Sequence, residues 1–96
     1  MKLEEKFIKL IDKVILEADK TKDSALISGS SWLVEDCDLV LKNMNTLKRN
    51  VQAGNTPKSD GAGLGLTRAF SEWGVSKSLY SAGLELETFY MREYNT

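Results

Sequence analysis

The chain has 96 residues, one cysteine and no histidine, and its 13 basic and 14 acidic side chains leave a net charge of −1. This length fits a single domain over residues 1–96 and excludes two domains. The near-neutral balance argues against a nucleic-acid partner, since such binders carry a basic excess. Without histidine the chain also lacks the commonest general base and metal ligand.

Three features predict a cytoplasmic protein without a membrane partner. No apolar run reaches the ~18 residues that a membrane span needs. Glu4 and Glu5 stand where a secretion signal has basic and apolar residues. Cys37 has no second cysteine to pair with, which suits a reducing compartment.

Helix 1 is predicted over residues 2–20. Its apolar residues recur every three or four positions, which is the spacing of one helical face; they are Leu3, Phe7, Leu10, Ile11, Val14, Ile15 and Ala18. We interpret residues 21–31 as a connection, because small and polar residues are frequent there, and we expect Ala25, Leu26 and Ile27 to pin it to the core. Ser30 or Ser31 is expected to cap the next helix with its hydroxyl.

Helix 2, predicted over residues 32–52, has the clearest pattern in the chain. Its apolar residues form a heptad-like seam, and they are Leu33, Cys37, Val40, Met44, Leu47 and Val51. Because Cys37 lies on this seam, we interpret it as a buried small side chain in preference to a reactive thiol. Gly54 and Pro57 are typical helix stops.

Residues 54–63 have the composition of a loop, and helix 3 follows with apolar residues from Leu64 to Trp73. Gly74 is expected to end helix 3 and Ser76 to cap helix 4. Helix 4 carries two apolar stripes, which are Leu79, Ala82, Leu86 and Phe89 on one side, and Tyr80, Leu84, Met91 and Tyr94 on the other.

Four helices with short connections predict an all-α fold, namely a small irregular antiparallel four-helix bundle. No metal site or cofactor is expected, since carboxylate pairs such as Glu35 and Asp38 suit a solvated helix face. A row of lysines flanks the apolar face of helix 1, and we interpret their stems as cover for the core edge. The row is Lys2, Lys6, Lys9 and Lys13.

The glycine-rich segment before helix 3 is a candidate anion- or ligand-binding site. Glycines ahead of a helix can present backbone N–H groups to an anion, and Arg68 could close over it. Gly61, Gly63 and Arg68 would be the binding residues. The spacing matches neither the dinucleotide fingerprint nor the P-loop, and a flexible helix start is the alternative interpretation.

Large apolar side chains on helix 4 and beside it are the candidate interaction surface. A single core uses only one of the two stripes of helix 4 fully, and exposed aromatic and methionine side chains are typical of protein interfaces. The candidates are Trp32, Trp73, Tyr80, Leu84, Met91 and Tyr94. The alternative is that they cap the ends of the bundle with their polar atoms at the surface.

These observations favour a non-enzymatic protein that acts through protein–protein interaction, as a homo-oligomer or with a protein partner. Adaptors, antitoxins and immunity proteins include small bundles of this kind, which is an analogy of fold alone. The alternative is a helical bundle that binds a small molecule or anion. An enzyme with an unusual acid–base set, such as Asp60 or Glu72 with Arg68, is the remaining alternative.

Overall fold

The computed structural model describes residues 2–58 and 63–94. These residues form four helices and no strand, so the predicted all-α class is confirmed. The helices are α1 (Leu3–Ser28), α2 (Ser31–Gln52), α3 (Leu66–Trp73) and α4 (Lys77–Glu93).

The long helix α1 organises the bundle. It packs along α2 on one side and along α4 on the other, while the short α3 packs on α4. The turn between α1 and α2 consists of Gly29 and Ser30, so these two helices form an antiparallel hairpin. An ion pair of 3.3 Å from Lys13 Nζ to Glu85 Oε2 sets α4 beside the first half of α1. The irregularity predicted for the bundle follows from the shortness of α3, which has 8 residues.

The core is built from the apolar faces that the spacing predicts. Phe7, Ile11 and Val14 of α1 are fully buried, and Phe70 of α3 and Leu86 of α4 meet the same cluster. The predicted seam of α2 is buried from Cys37 to Val51, while its first member, Leu33, is half-buried.

Helices α3 and α4 approach closely at Gly83. A Cβ atom at this position would lie 2.6 Å from Cε2 of the Phe70 ring, closer than real Cβ contacts allow. The absence of a side chain at Gly83 therefore lets Phe70, which is 1% exposed, occupy the space between the two helices.

The prediction that residues 21–31 form a connection is wrong, because α1 continues through most of that segment to Ser28. The segment contains no glycine or proline before Gly29, and Ala25 is buried against the bundle. The polar composition that suggested a loop belongs to the outer faces of this helical extension.

The serines predicted to cap α2 and α4 lie at the N-cap positions, but only one of them caps its helix through the side chain. Ser76 caps α4 as expected, since its Oγ accepts a hydrogen bond from the Leu79 N–H. Ser30 precedes α2 but makes no side-chain cap. Its backbone carbonyl accepts instead from the N–H groups of Leu33 and Val34. Helix α3 begins at Leu66, so Leu64 lies before the helix and not in it.

Within residues 2–58 and 63–94, no helix combines the length and apolarity that crossing a membrane requires.

Candidate interaction surface

The turn between α1 and α2, with the residues next to it, forms a surface that we call the hairpin tip (residues 25–34). Gly29 ends α1 in the left-handed conformation, with φ 78° and ψ 20°, which favours glycine. The Ser30 N–H then donates to the Ala25 carbonyl over 2.9 Å. This bond closes the end of α1, so the tip is a defined turn on two packed helices.

Three large apolar side chains are exposed at the hairpin tip. Ile27 is 89% exposed, Leu26 58% and Trp32 53%. Their exposure follows from helix geometry, because each residue turns the direction of the side chain by about 100°. Ala25 faces the bundle and is buried, so Leu26 and Ile27 are turned progressively away from it.

A shallow depression lies beside these side chains. It has a volume of about 150 Å³ and is lined by Ala25, Leu26, Gly29, Ser31 and Val34. This volume is small for a metabolite, since ligand pockets measure about 300–1,000 Å³. It suits one apolar side chain of a partner.

The hairpin tip has an acidic surround. Two lysines of α1 near the tip are already paired, Lys20 with Glu17 and Lys22 with Asp38. Lys77 adds a third positive charge at the start of α4, where its neighbours Ser76 and Ser78 share a groove with Ala25 and Leu33. Four nearby carboxylates form no ion pair within the described residues; they are Asp19, Asp23, Glu35 and Asp36. With Glu17 and Asp38, six carboxylates surround the tip against three lysines, so the surround is net negative.

Below the tip, Lys22 and Cys37 belong to the contact between α1 and α2. Lys22 Nζ lies 2.6 Å from Asp38 Oδ1, and this hydrogen bond raises the pKa of the Lys22 ammonium. Burial raises the pKa of the Cys37 thiol, and the charges of Asp36 and Asp38 add to this effect. A buried thiol with a raised pKa is a weak nucleophile at neutral pH.

The six residues of the predicted interaction surface do not form one patch. Trp32 is exposed at the hairpin tip, whereas Leu84 and Met91 are 44% and 38% exposed on α4. The other three are half-buried against the core, namely Trp73, Tyr80 and Tyr94. Two of these make ring contacts there, with centroid distances of 5.6 Å for Trp73 and Phe70 and 4.9 Å for Tyr94 and Phe7.

At the predicted anion site, the first turn of α3 binds a carboxylate of the same chain. The Thr67 N–H donates to Glu87 Oε1 over 2.6 Å, and a Cβ on Gly63 would overlap Glu87 Oε2. The Arg68 guanidinium points to solvent and pairs with Glu72 at 3.2 Å, with its side chain 88% exposed. Gly61 and Asp60 lie outside the described residues.

The expectation that Leu26 and Ile27 pin this segment to the core is wrong, since both are exposed and only Ala25 is buried. Within a connection the direction of an apolar side chain does not follow from its spacing, so these two surface residues were missed. The signal that could have found them is the uninterrupted run from Thr21 to Ser28, which has no helix breaker.

Comparisons with protein-family models, with curated proteins and with solved structures find no match to this chain.

Proposed function

We propose that this chain is a non-enzymatic interaction protein that binds a partner protein through its hairpin tip. The observation that carries the proposal is the exposure of Leu26, Ile27 and Trp32 on either side of one hydrogen-bonded turn. The three side chains lie within seven residues of one another at a single turn, and exposed apolar side chains grouped in this way mark interaction sites. Tryptophan is also the residue type most enriched among the side chains that dominate binding energies.

The charge of the surround favours one kind of partner, namely a protein segment with apolar anchor residues flanked by lysine or arginine. Asp23, Glu35 and Asp36 lie beside the apolar side chains without an ion pair, and opposite charge across an interface speeds encounter and suppresses wrong partners. A second copy docked tip to tip would set these carboxylates against each other, and an anionic membrane would repel them.

The stripe of α4 that contains Leu84 and Met91 remains a second predicted binding surface. Leu84 and Met91 share a face because they are seven residues apart, and both are partly exposed. Their exposed fractions are smaller than those at the hairpin tip, so the α4 stripe is the weaker candidate for a binding surface. A cytoplasmic setting is part of the proposal, because a single buried thiol needs no oxidising compartment.

A peptide titration tests the hairpin tip directly. The chain has two tryptophans, so Trp73→Phe leaves Trp32 as the sole reporter. The probe is an amphipathic helical peptide made of leucine and lysine. We expect the Trp32 emission to shift to shorter wavelength as the peptide covers the ring, and Ile27→Ser to weaken binding at least tenfold.

Two controls keep this titration specific. An equivalent peptide of leucine and glutamate should bind far more weakly, because the surround is acidic. Leu16→Ser removes an exposed leucine, 54% exposed on α1 and outside the tip, and should leave the affinity unchanged. Equal binding of both peptides, or equal effects of the two variants, would rule out the hairpin tip as the surface. If native mass spectrometry showed a dimer that Ile27→Ser abolishes, the partner of the hairpin tip would be a second copy of this chain and not another protein.

A further inference from the structure

A groove between α1 and α4 lies at the end of the bundle away from the hairpin tip. It has a volume of about 590 Å³, within the range of small-molecule sites. Lys6, Lys9 and Leu10 line it from α1, and Phe89 and Arg92 from α4. Residues 9 and 27 are about 27 Å apart along α1 at 1.5 Å per residue, so the groove and the hairpin tip are separate surfaces.

The groove has an uncompensated positive charge. Lys6 and Lys9 form no ion pair within the described residues. Its one carboxylate, on Glu85, is already held by Lys13 at 3.3 Å. The Arg92 guanidinium contacts Glu93 at 3.2 Å. Two ammonium groups are therefore available for an anion.

The inner part of the groove is apolar. Leu10 is half-buried, and Phe89 is only 4% exposed. The Arg92 guanidinium lies 5.7 Å from the centre of the Phe89 ring, a cation–π arrangement that holds the charge beside the apolar surface. Leu10 thus offers apolar surface over a floor formed by Phe89, and an apolar chain can lie there while its charged group meets the lysines.

From this juxtaposition we propose that the groove binds a small amphipathic organic anion, such as a medium-chain carboxylate. The apolar part of the ligand lies over Leu10, with Phe89 beneath it, and its anionic group pairs with Lys6 and Lys9. The row of lysines on helix 1 therefore has a use beyond covering the core edge. The site is independent of the hairpin tip, so either proposal can fail without the other.

Isothermal titration calorimetry with decanoate tests the groove. Decanoate should bind, while decanol and decylammonium, which keep the chain without the negative charge, should bind at least tenfold more weakly. Acetate, which keeps the charge without the chain, should give no measurable binding. Equal affinities for decanoate and decanol would overturn the proposal, since the lysines would then contribute nothing.

Charge-matched variants locate the binding. Lys6→Gln with Lys9→Gln should weaken decanoate binding at least tenfold. Lys42→Gln with Lys77→Gln removes the same charge from exposed lysines outside the groove and should leave it unchanged. Circular dichroism checks that both variants fold, which is expected because all four side chains are exposed. Equal losses in the two double variants would overturn the assignment to this groove.

Vesicles distinguish a free amphiphile from a lipid headgroup. Co-sedimentation with vesicles of phosphatidylcholine and phosphatidylglycerol, in the absence of any decanoate binding, would assign the lysines to a membrane surface and overturn the small-molecule site. Decanoate binding that only the groove variant weakens, without co-sedimentation, is the result that the proposal requires.

Discussion

At the scale of single residues, the position of Glu87 shows how the chain uses a helix start. The first N–H groups of a helix have no partner within it and attract negative charge. Here the Thr67 N–H of α3 is bound by Glu87 of α4. The glycine-rich segment thus leads into a helix start whose N–H group is bound within the chain, and this hydrogen bond joins α3 to α4.

Glu87→Gln tests this contact. The amide can still accept a hydrogen bond but has lost its charge, so we expect the free energy of unfolding to fall by about 1–2 kcal/mol. Chemical denaturation monitored by circular dichroism gives this value. Asp19→Asn is the control, because Asp19 is exposed in the middle of α1 and has no ion pair within the described residues. Equal effects of the two changes would show that the carboxylate does not stabilise α3.

Because of Cys37, we expect the free energy of unfolding to depend on pH in the alkaline range. Burial raises the pKa of its thiol above the ordinary value of 9.0, so the folded protein holds the proton more tightly than the unfolded chain does. The resulting stability is complete below about pH 8 and declines as the pH rises past the ordinary thiol value of 9.0 towards the folded-state pKa. We therefore expect the free energy of unfolding to fall between pH 8 and pH 10.

Cys37→Ala isolates that contribution. The variant is less stable at every pH, because a buried side chain becomes smaller, but its decline between pH 8 and pH 10 should be shallower. Urea denaturation at a series of pH values measures both slopes. Parallel curves for the two proteins would mean that the thiol does not titrate differently on folding.

At the scale of helices, the length of α1 is the main difference between expectation and structure. The apolar spacing from Leu3 to Ala18 predicted the first part of α1, because a continuous stripe faces the core. Beyond Ala18 only Ala25 is buried in α1. A stripe reduced to one small residue leaves little periodicity to detect, although the helix continues.

Ser24→Pro tests the extension of α1. Proline within a helix removes a backbone hydrogen bond and clashes with the preceding turn, at a cost of about 3 kcal/mol or more. We therefore expect a large drop in thermal stability and reduced ellipticity. A proline at Ser24 that leaves the melting temperature unchanged would be compatible with residues 21–31 as a loop.

Helix packing also explains which parts of the candidate sites could be predicted. The row containing Lys6 and Lys9 is visible in the sequence, because lysines flank one apolar stripe. The groove is not, since its other wall, with Phe89 and Arg92, comes from α4. Periodicity gives the faces of each helix but does not determine which helices become neighbours.

At the scale of the whole molecule, the two proposed surfaces lie at opposite ends of an elongated bundle. The protein measures 41 × 22 × 20 Å along its principal axes. An apolar tip with an acidic surround occupies one end, and a basic groove occupies the other. The net charge of −1 conceals this separation, which therefore could not be predicted from composition.

Nuclear magnetic resonance can show residue by residue whether the hairpin tip binds a partner. The ¹⁵N-labelled protein is titrated with the leucine–lysine peptide, and amide shift changes are followed residue by residue. We predict that the largest changes cluster in residues 25–34, including the indole N–H of Trp32. Changes centred on Leu84 and Met91 of α4, or on the groove at Lys6 and Arg92, with residues 25–34 unaffected, would contradict the proposal.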